Sequence, residues 1–146
     1  MISRILIYLL YILLIVSALL IYRSDIELTK EIQLARGASG VAAIGHYRKA
    51  LSWVLPWQGH LGEQLANEAV ALIGKSSVSG LERTNLIYEV KRGIDSSRFN
   101  YLPYSWRKEL SDSLVKLTGV KRSALVAPFP SFVYSLLVHL SFIFFI

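Results

Sequence analysis

The chain contains no cysteine among its 146 residues. Disulfide bonds, thiolate nucleophiles and cysteine-based metal sites are therefore excluded, and the redox compartment cannot be inferred from this composition. The three histidines lie far apart, and the His60–Glu63 stretch lacks the second histidine of a His-Glu-x-x-His zinc motif. The sequence thus contains no familiar metal-binding motif, and we expect no metal and no cofactor.

A recognisable catalytic motif is also missing. Gly74-Lys75-Ser76 matches only the end of a phosphate-binding loop, because Ala69 stands where the pattern requires a glycine. The carboxylates of Glu63 and Glu68 do not share a helix face, so no acid–base pair is indicated. We therefore predict that the protein is not an enzyme.

Residues 5–22 lack any charge, and Arg4 and Arg23 bracket them. Eighteen helical residues reach about 27 Å, close to the hydrocarbon thickness of a bilayer. We predict a transmembrane anchor over residues 1–23. One alternative is a secretory signal cleaved after Ala18, although the apolar run continues four residues further. A buried helix of a soluble domain is the other.

Residues 125–146 form a second run without Asp, Glu, Lys or Arg. We predict a second transmembrane segment here. No charged residue flanks its far side, which leaves two alternatives: a truncated segment, or a tail that barely crosses the bilayer. Pro128 and Pro130 favour a helix start near Ser131. His139 is an intramembrane polar residue in this segment, for which proton transfer, helix–helix packing and exposure to lipid are the alternatives.

Between these runs, residues 24–124 have the composition of one small soluble domain. Apolar residues recur at steps of three and four, and no alternating stretch is bounded by a hairpin turn, so the predicted class is all-α. Ser24–Glu27 and Ser79–Glu82 have the form of capping boxes. A helix is expected to restart or continue at residue 24. Four further helices are expected over residues 41–55, 61–73, 81–97 and 106–117.

The net charge of +6 and the isoelectric point near 9.7 indicate an anionic partner. The cations are spread along the predicted helices, with at most two adjacent. Attraction to anionic lipid head groups, or general solvation of the helices, explains this pattern better than an acidic protein partner, and nucleic acid is not expected.

Aromatic residues cluster near prolines and basic residues. They are typical of an interfacial belt, a partner-binding patch or simple core packing between helices. Arg98 lies beside several of them, where it would complement the end of the preceding helix or bind a ligand. The candidate interface residues are Tyr47, Trp53, Trp57, Arg98, Phe99, Tyr101, Tyr104 and Trp106.

The segment Gly45-His46-Tyr47-Arg48-Lys49-Ala50-Leu51, followed by Pro56, resembles the second helix of a tetratricopeptide repeat. The resemblance covers about 60 residues. It implies a scaffold of paired helices whose concave face holds a peptide or a partner helix. The fold prediction is thus an N-terminal transmembrane helix, a small helical-hairpin domain like these repeats, and a C-terminal transmembrane helix.

The whole chain is similar to small, uncharacterised bacterial membrane proteins. These have an N-terminal anchor, a compact helical domain that ends in an aromatic loop, and a final membrane helix. Arg98, Phe99, Tyr101, Pro103 and Tyr104 would form that loop here. The resemblance implies an architecture rather than a chemistry.

Charge around the first span leaves the topology open. A count of cations favours a cytoplasmic domain, but the connecting segment exceeds the roughly 60 residues for which that rule holds. The short positive amino terminus and the resemblance favour the inner membrane with a periplasmic domain.

These features predict an accessory or scaffold subunit that contacts other membrane proteins and the lipid bilayer through its helical domain. The alternative is a membrane enzyme or transport component that uses His139 or the loop at Arg98. A nucleic-acid binder at the membrane surface is a third class, which would require cations clustered on one helix face.

Overall fold

The computed structural model describes residues 2–55, 57–97 and 112–116, which contain helices and no strand. Four helices follow one another: α1 (Ile2–Gly37), α2 (Val41–Trp53), α3 (Gly59–Lys75) and α4 (Gly80–Asp95). Residues 112–116 are also helical. The all-α prediction is confirmed for these ranges. The predicted C-terminal span lies outside the described residues, and the likeness to tetratricopeptide repeats stays a prediction.

Helix α1 runs without a break through the predicted boundary between residues 23 and 24. Its 36 residues extend for about 54 Å. The capping box expected at Ser24 does not form, because Ser24 lies inside the helix and its hydroxyl donates to the carbonyl oxygen of Leu20 at 2.8 Å. Of the two expectations for this point, continuation of the helix is the correct one.

At the second predicted capping box, the N-cap bond forms and begins α4. The Ser79 hydroxyl accepts a hydrogen bond from the backbone N–H of Glu82 at 3.2 Å, which satisfies one donor of the first turn. The predicted helix 61–73 is also present, two residues longer at each end.

A tight turn joins α1 to α2. Gly40 has a φ of 61°, a conformation that glycine adopts without steric cost. Helix α2 then returns alongside α1, since Glu31 meets His46 near the turn and Asp25 lies near Leu55 further from it. Helix α2 ends at Trp53, two residues before the predicted end, because the residue that precedes a proline disfavours helical geometry.

Helix α2 lies at the centre of the helical domain and packs against α1, α3 and α4, and α3 also packs against α4. At the crossing of α2 and α4, Gly93 allows the helices to approach closely. A Cβ atom added there would lie 2.6 Å from the carbonyl oxygen of Arg48. Apolar side chains from the four helices form the core around α2: Leu28, Ala43, Ile44, Leu51, Leu65, Ala69, Ile73, Val90 and Ile94.

Burial divides α1 into two parts. Residues 4–16, the apolar segment, are exposed on nearly all sides. Residues 17–37, the packed segment, bury one face against the domain. Among the described residues α1 is the one helix that is long and apolar enough to cross a membrane, which confirms this much of the anchor prediction.

Candidate functional site

Along the axis of α1, the end of α2 lies level with the end of the uncharged run, residues 5–22. The 13 residues of α2 span about 20 Å, and the part of α1 from Tyr22 to Gly37 spans about 22 Å. The loop after α2 therefore lies beside the end of the uncharged run. A groove of about 390 Å³ opens between them, and we call it the loop groove. It is lined by Ala18, Ile21, Tyr22, Asp25, Leu55, Trp57 and Gln58.

The α1 wall of the loop groove follows from helical periodicity. Ala18, Tyr22 and Asp25 stand four and three residues apart, so they share one face of α1. Tyr22 keeps 67% of its surface exposed. Asp25 is also exposed, and within the described part of the chain its carboxylate forms no ion pair. This wall thus combines an aromatic ring with an available negative charge.

The loop wall is held by two hydrogen bonds. The backbone N–H of Leu55 donates to Oε1 of Gln58 at 3.1 Å, and the N–H of Gln58 donates to the carbonyl oxygen of Leu55 at 2.9 Å. Leu55 itself is buried. These contacts close the loop around Trp57, which stays 46% exposed at the rim.

Tyr47 and Trp53 have a different environment. Both side chains are buried in the hydrophobic core, which is the core-packing interpretation of the aromatic residues. The Tyr47 hydroxyl donates to Oε2 of Glu68 at 3.1 Å. Arg36 donates to Oε1 of the same carboxylate at 2.9 Å, so this cluster joins α1, α2 and α3. Little surface of Tyr47 or Trp53 remains for a partner.

The ionisation of this cluster is shifted by its surroundings. Burial raises the pKa of the Tyr47 phenol, and its hydrogen bond to Glu68 raises it further. Burial also opposes ionisation of Glu68, but hydrogen bonds from Arg36, Gln64 and Tyr47 outweigh it and lower the pKa of this carboxyl on balance. The cluster is therefore a charged clamp between helices.

A second carboxylate between helices was not predicted from the sequence. Glu31 is 7% exposed, and its Oε2 lies 2.7 Å from Nδ1 of His46. Lys49 Nζ lies 3.8 Å from Oε1 of the same group. The spacing of Glu31 from Leu28 and Ala35 places it on the buried face of α1, which is the signal that would have identified it.

The sequence analysis also missed a buried ion pair on α4. Lys91 and Asp95 are almost completely buried and are bonded to each other one turn apart. Such an i, i+4 pair is normally exposed on a helix surface. Lys91 and Asp95 directly follow the core residues Val90 and Ile94, and this is the one hint that the pair faces inward.

The other predicted site residues lie outside the described residues: Arg98, Phe99, Tyr101, Tyr104, Trp106 and His139. His60 is exposed at the start of α3. Within the ranges that the structure describes, no group of three His, Asp or Glu side chains is placed to hold a metal ion.

Comparison with known proteins assigns no family. No family model matches the chain, and neither a curated protein nor a solved structure matches it.

Proposed function

We propose that this chain is a small integral membrane protein that acts as an accessory or scaffold subunit, with α1 as its anchor. The observation that carries the proposal is the continuity of α1. One helix contains both the exposed apolar segment and the face that packs on the helical domain. A domain joined in this way has a fixed orientation relative to the bilayer, as a scaffold requires.

Exposure of the apolar segment supports an anchor rather than a core helix. The side chains of residues 4–12 are all exposed, and large apolar ones predominate. An apolar surface of this extent in a soluble protein would be an aggregation hazard, whereas lipid covers it at no cost. Neighbouring transmembrane helices would cover it equally well.

The proposed protein contacts use the outer face of α1 as well as Trp57. Ile26 and Leu34 on α1, and Val41 at the start of α2, are large apolar residues that remain exposed beyond the uncharged run. An amphipathic helix of another membrane protein would pair with such side chains. Since Tyr47 and Trp53 are buried, the proposed interface does not depend on them.

Two measurements test this proposal. Carbonate washing of membranes should leave the intact chain in the pellet, and release into the supernatant would refute the anchor. A photoreactive phenylalanine analogue at Ile26 should then give one discrete product with another membrane protein. The same analogue at Leu81, which is exposed at the start of α4, is the control. Recovery of the chain as a lone monomer would refute the subunit role.

We also propose that the anchor lies in the inner membrane with the domain on the periplasmic side. Because the chain has no cysteine, a single introduced thiol reports the side directly. Ser77→Cys, exposed between α3 and α4, should react with an impermeant maleimide before lysis, whereas the buried control Ala66→Cys should not. Labelling of Ser77→Cys only after lysis would place the domain in the cytoplasm.

A role as a membrane enzyme or transport component remains the alternative. It depends on His139 and Arg98, which lie outside the described residues, and no contact among the described residues favours it.

A further inference from the structure

We propose that the loop groove binds the ammonium group of a phospholipid head group. This inference rests on the proposed insertion of α1 and adds a lipid class and a site to it. The groove is defined by its two exposed aromatic rings, Tyr22 and Trp57, and by the carboxylate of Asp25.

Position along α1 places the groove at head-group depth. Tyr22 is the last residue of the uncharged run, and Asp25 follows it by three residues, or about 4.5 Å of helix. Tyrosine and tryptophan favour this layer, where one end of the ring contacts acyl chains and the other contacts water. The loop that contains Trp57 would therefore lie against the bilayer surface.

The chemistry of the lining favours a cation. Aromatic rings attract ammonium groups through their negative faces, and quaternary ammonium ligands are recognised in this way. Asp25 adds a full negative charge that no ion pair neutralises within the described part of the chain. Among the described residues that line the groove there is no Lys or Arg, so a bare phosphate would meet the Asp25 carboxylate with no cation of that lining to compensate.

The apolar part of the lining favours a lipid over a soluble amine. Ala18, Ile21 and Leu55 continue the groove toward the uncharged run, where acyl chains would lie. The groove volume of about 390 Å³ exceeds the needs of a single ammonium group and lies in the range of small-molecule sites. A head group with its upper chain carbons fits both features.

The loop groove predicts a lipid preference that differs from the preference expected from the net charge. A charge of +6 attracts anionic lipids in general and without a fixed site. The loop groove instead selects one lipid that carries an amine, such as phosphatidylethanolamine or phosphatidylcholine. Phosphatidylglycerol, which has no amine, is therefore the matched comparison.

Native mass spectrometry of the full chain released from detergent tests the proposal. The wild type should retain one phosphatidylethanolamine in preference to phosphatidylglycerol. Asp25→Asn and Trp57→Leu should each weaken that retention roughly two- to fivefold, the effect of losing one exposed cation contact. Glu63→Gln, at an exposed carboxylate on α3 that is not among the residues lining the groove, should leave it unchanged.

Equal retention of both lipids, or unchanged retention in Asp25→Asn, would overturn the proposal. Displacement of the lipid by soluble phosphoethanolamine at equal concentration would overturn a lipid as the occupant. Resistance to carbonate without lipid selectivity would refute this inference and leave the proposed function intact. Extraction by carbonate would refute both.

Discussion

Leu9 and Leu28 lie on the same helix, yet 61% of the Leu9 surface is exposed and 1% of the Leu28 surface. The apolar segment around Leu9 makes few contacts with the described domain, so its side chains need only to be hydrophobic. The packed segment around Leu28 contacts α2, so the shapes of its side chains must fit those of α2. The difference shows that the two halves of one continuous helix have different surroundings, and that the surroundings of each half decide which substitutions it tolerates.

The packed segment achieves its fit with small and polar residues as well as leucine. Ser17, Ser24, Leu28, Glu31 and Ala35 are all buried on its inner face. Short side chains let another helix approach, and the carboxylate is matched by His46. A purely apolar stripe would not distinguish this half from the apolar segment.

The largest expected effect concerns the buried ion pair of the packed region. Lys91→Met should destabilise the domain by about 3–5 kcal/mol, because it breaks the buried ion pair between Lys91 and Asp95. Denaturant unfolding in micelles, followed by circular dichroism, measures this. Lys30→Met, which removes an exposed pair with Glu27, should cost less than about 1 kcal/mol. Equal effects would mean that the α4 pair is hydrated.

Truncation of Leu28 tests the comparison directly. Leu28→Ala should cost about 2–5 kcal/mol of domain stability through lost burial and the cavity that remains. Leu9→Ala, which removes the same atoms from an exposed site, should leave the unfolding midpoint of the domain unchanged. A loss at Leu9 comparable to that at Leu28 would show that the apolar segment is packed on protein.

A charged substitution should have the opposite pattern, with a larger effect in the apolar segment than in the packed segment. Leu9→Arg should disfavour insertion of the helix by about 2.5–3.5 kcal/mol, because the cation would lie within hydrocarbon. The carbonate-resistant fraction measures this loss. Leu34→Arg, at an exposed position of the packed segment, should insert normally. Normal insertion of both variants would argue against a membrane position for Leu9.

Substitutions of two glycines by alanine compare a closely packed site with an open one by adding a single methyl group to each. Gly93→Ala should cost about 1–3 kcal/mol, since its Cβ would lie 2.6 Å from the Arg48 carbonyl oxygen and the backbone must move. Gly45→Ala has no atom within 4 Å of the new Cβ and should gain up to about 1 kcal/mol from helix propensity. Thermal melting of the two variants should therefore shift in opposite directions.

Acid should weaken the clamp at Glu68. Its folded pKa lies below the usual 4.5, so its contribution is complete above that value and is lost as the pH falls through the folded pKa. Because the group is partly exposed, we expect an effect under about 1 kcal/mol. Between about pH 5 and pH 3 the wild type should lose more stability than Glu68→Gln. Parallel pH profiles would exclude the clamp.

Much of the fold could be predicted because it depends on local patterns. The Ser79 hydroxyl caps the first turn of α4 whatever surrounds it, and the turn at Gly40 needs only a residue that tolerates positive φ. The same reasoning was wrong at Ser24, because a serine within a continuous helix bonds back to the preceding turn instead of capping a new one.

The candidate site was predicted less well. Trp57 was among the expected interface residues, but its neighbours Tyr22 and Asp25 were not, since they are more than thirty residues away in sequence. Tyr47 and Trp53 carry the same aromatic signal as Trp57 and are buried. Composition does not separate these cases, because the burial of a ring depends on the path of the chain around it.

The sequence by itself determined the helical class, the N-cap at Ser79 and a segment apolar enough for lipid, because these follow from the side chains of neighbouring residues. Only the tertiary structure decided which charges are buried, that Gly93 must lack a side chain, and that Asp25 and Trp57 share a groove. Those features depend on the antiparallel return of α2 along α1, which brings together residues that no local pattern relates.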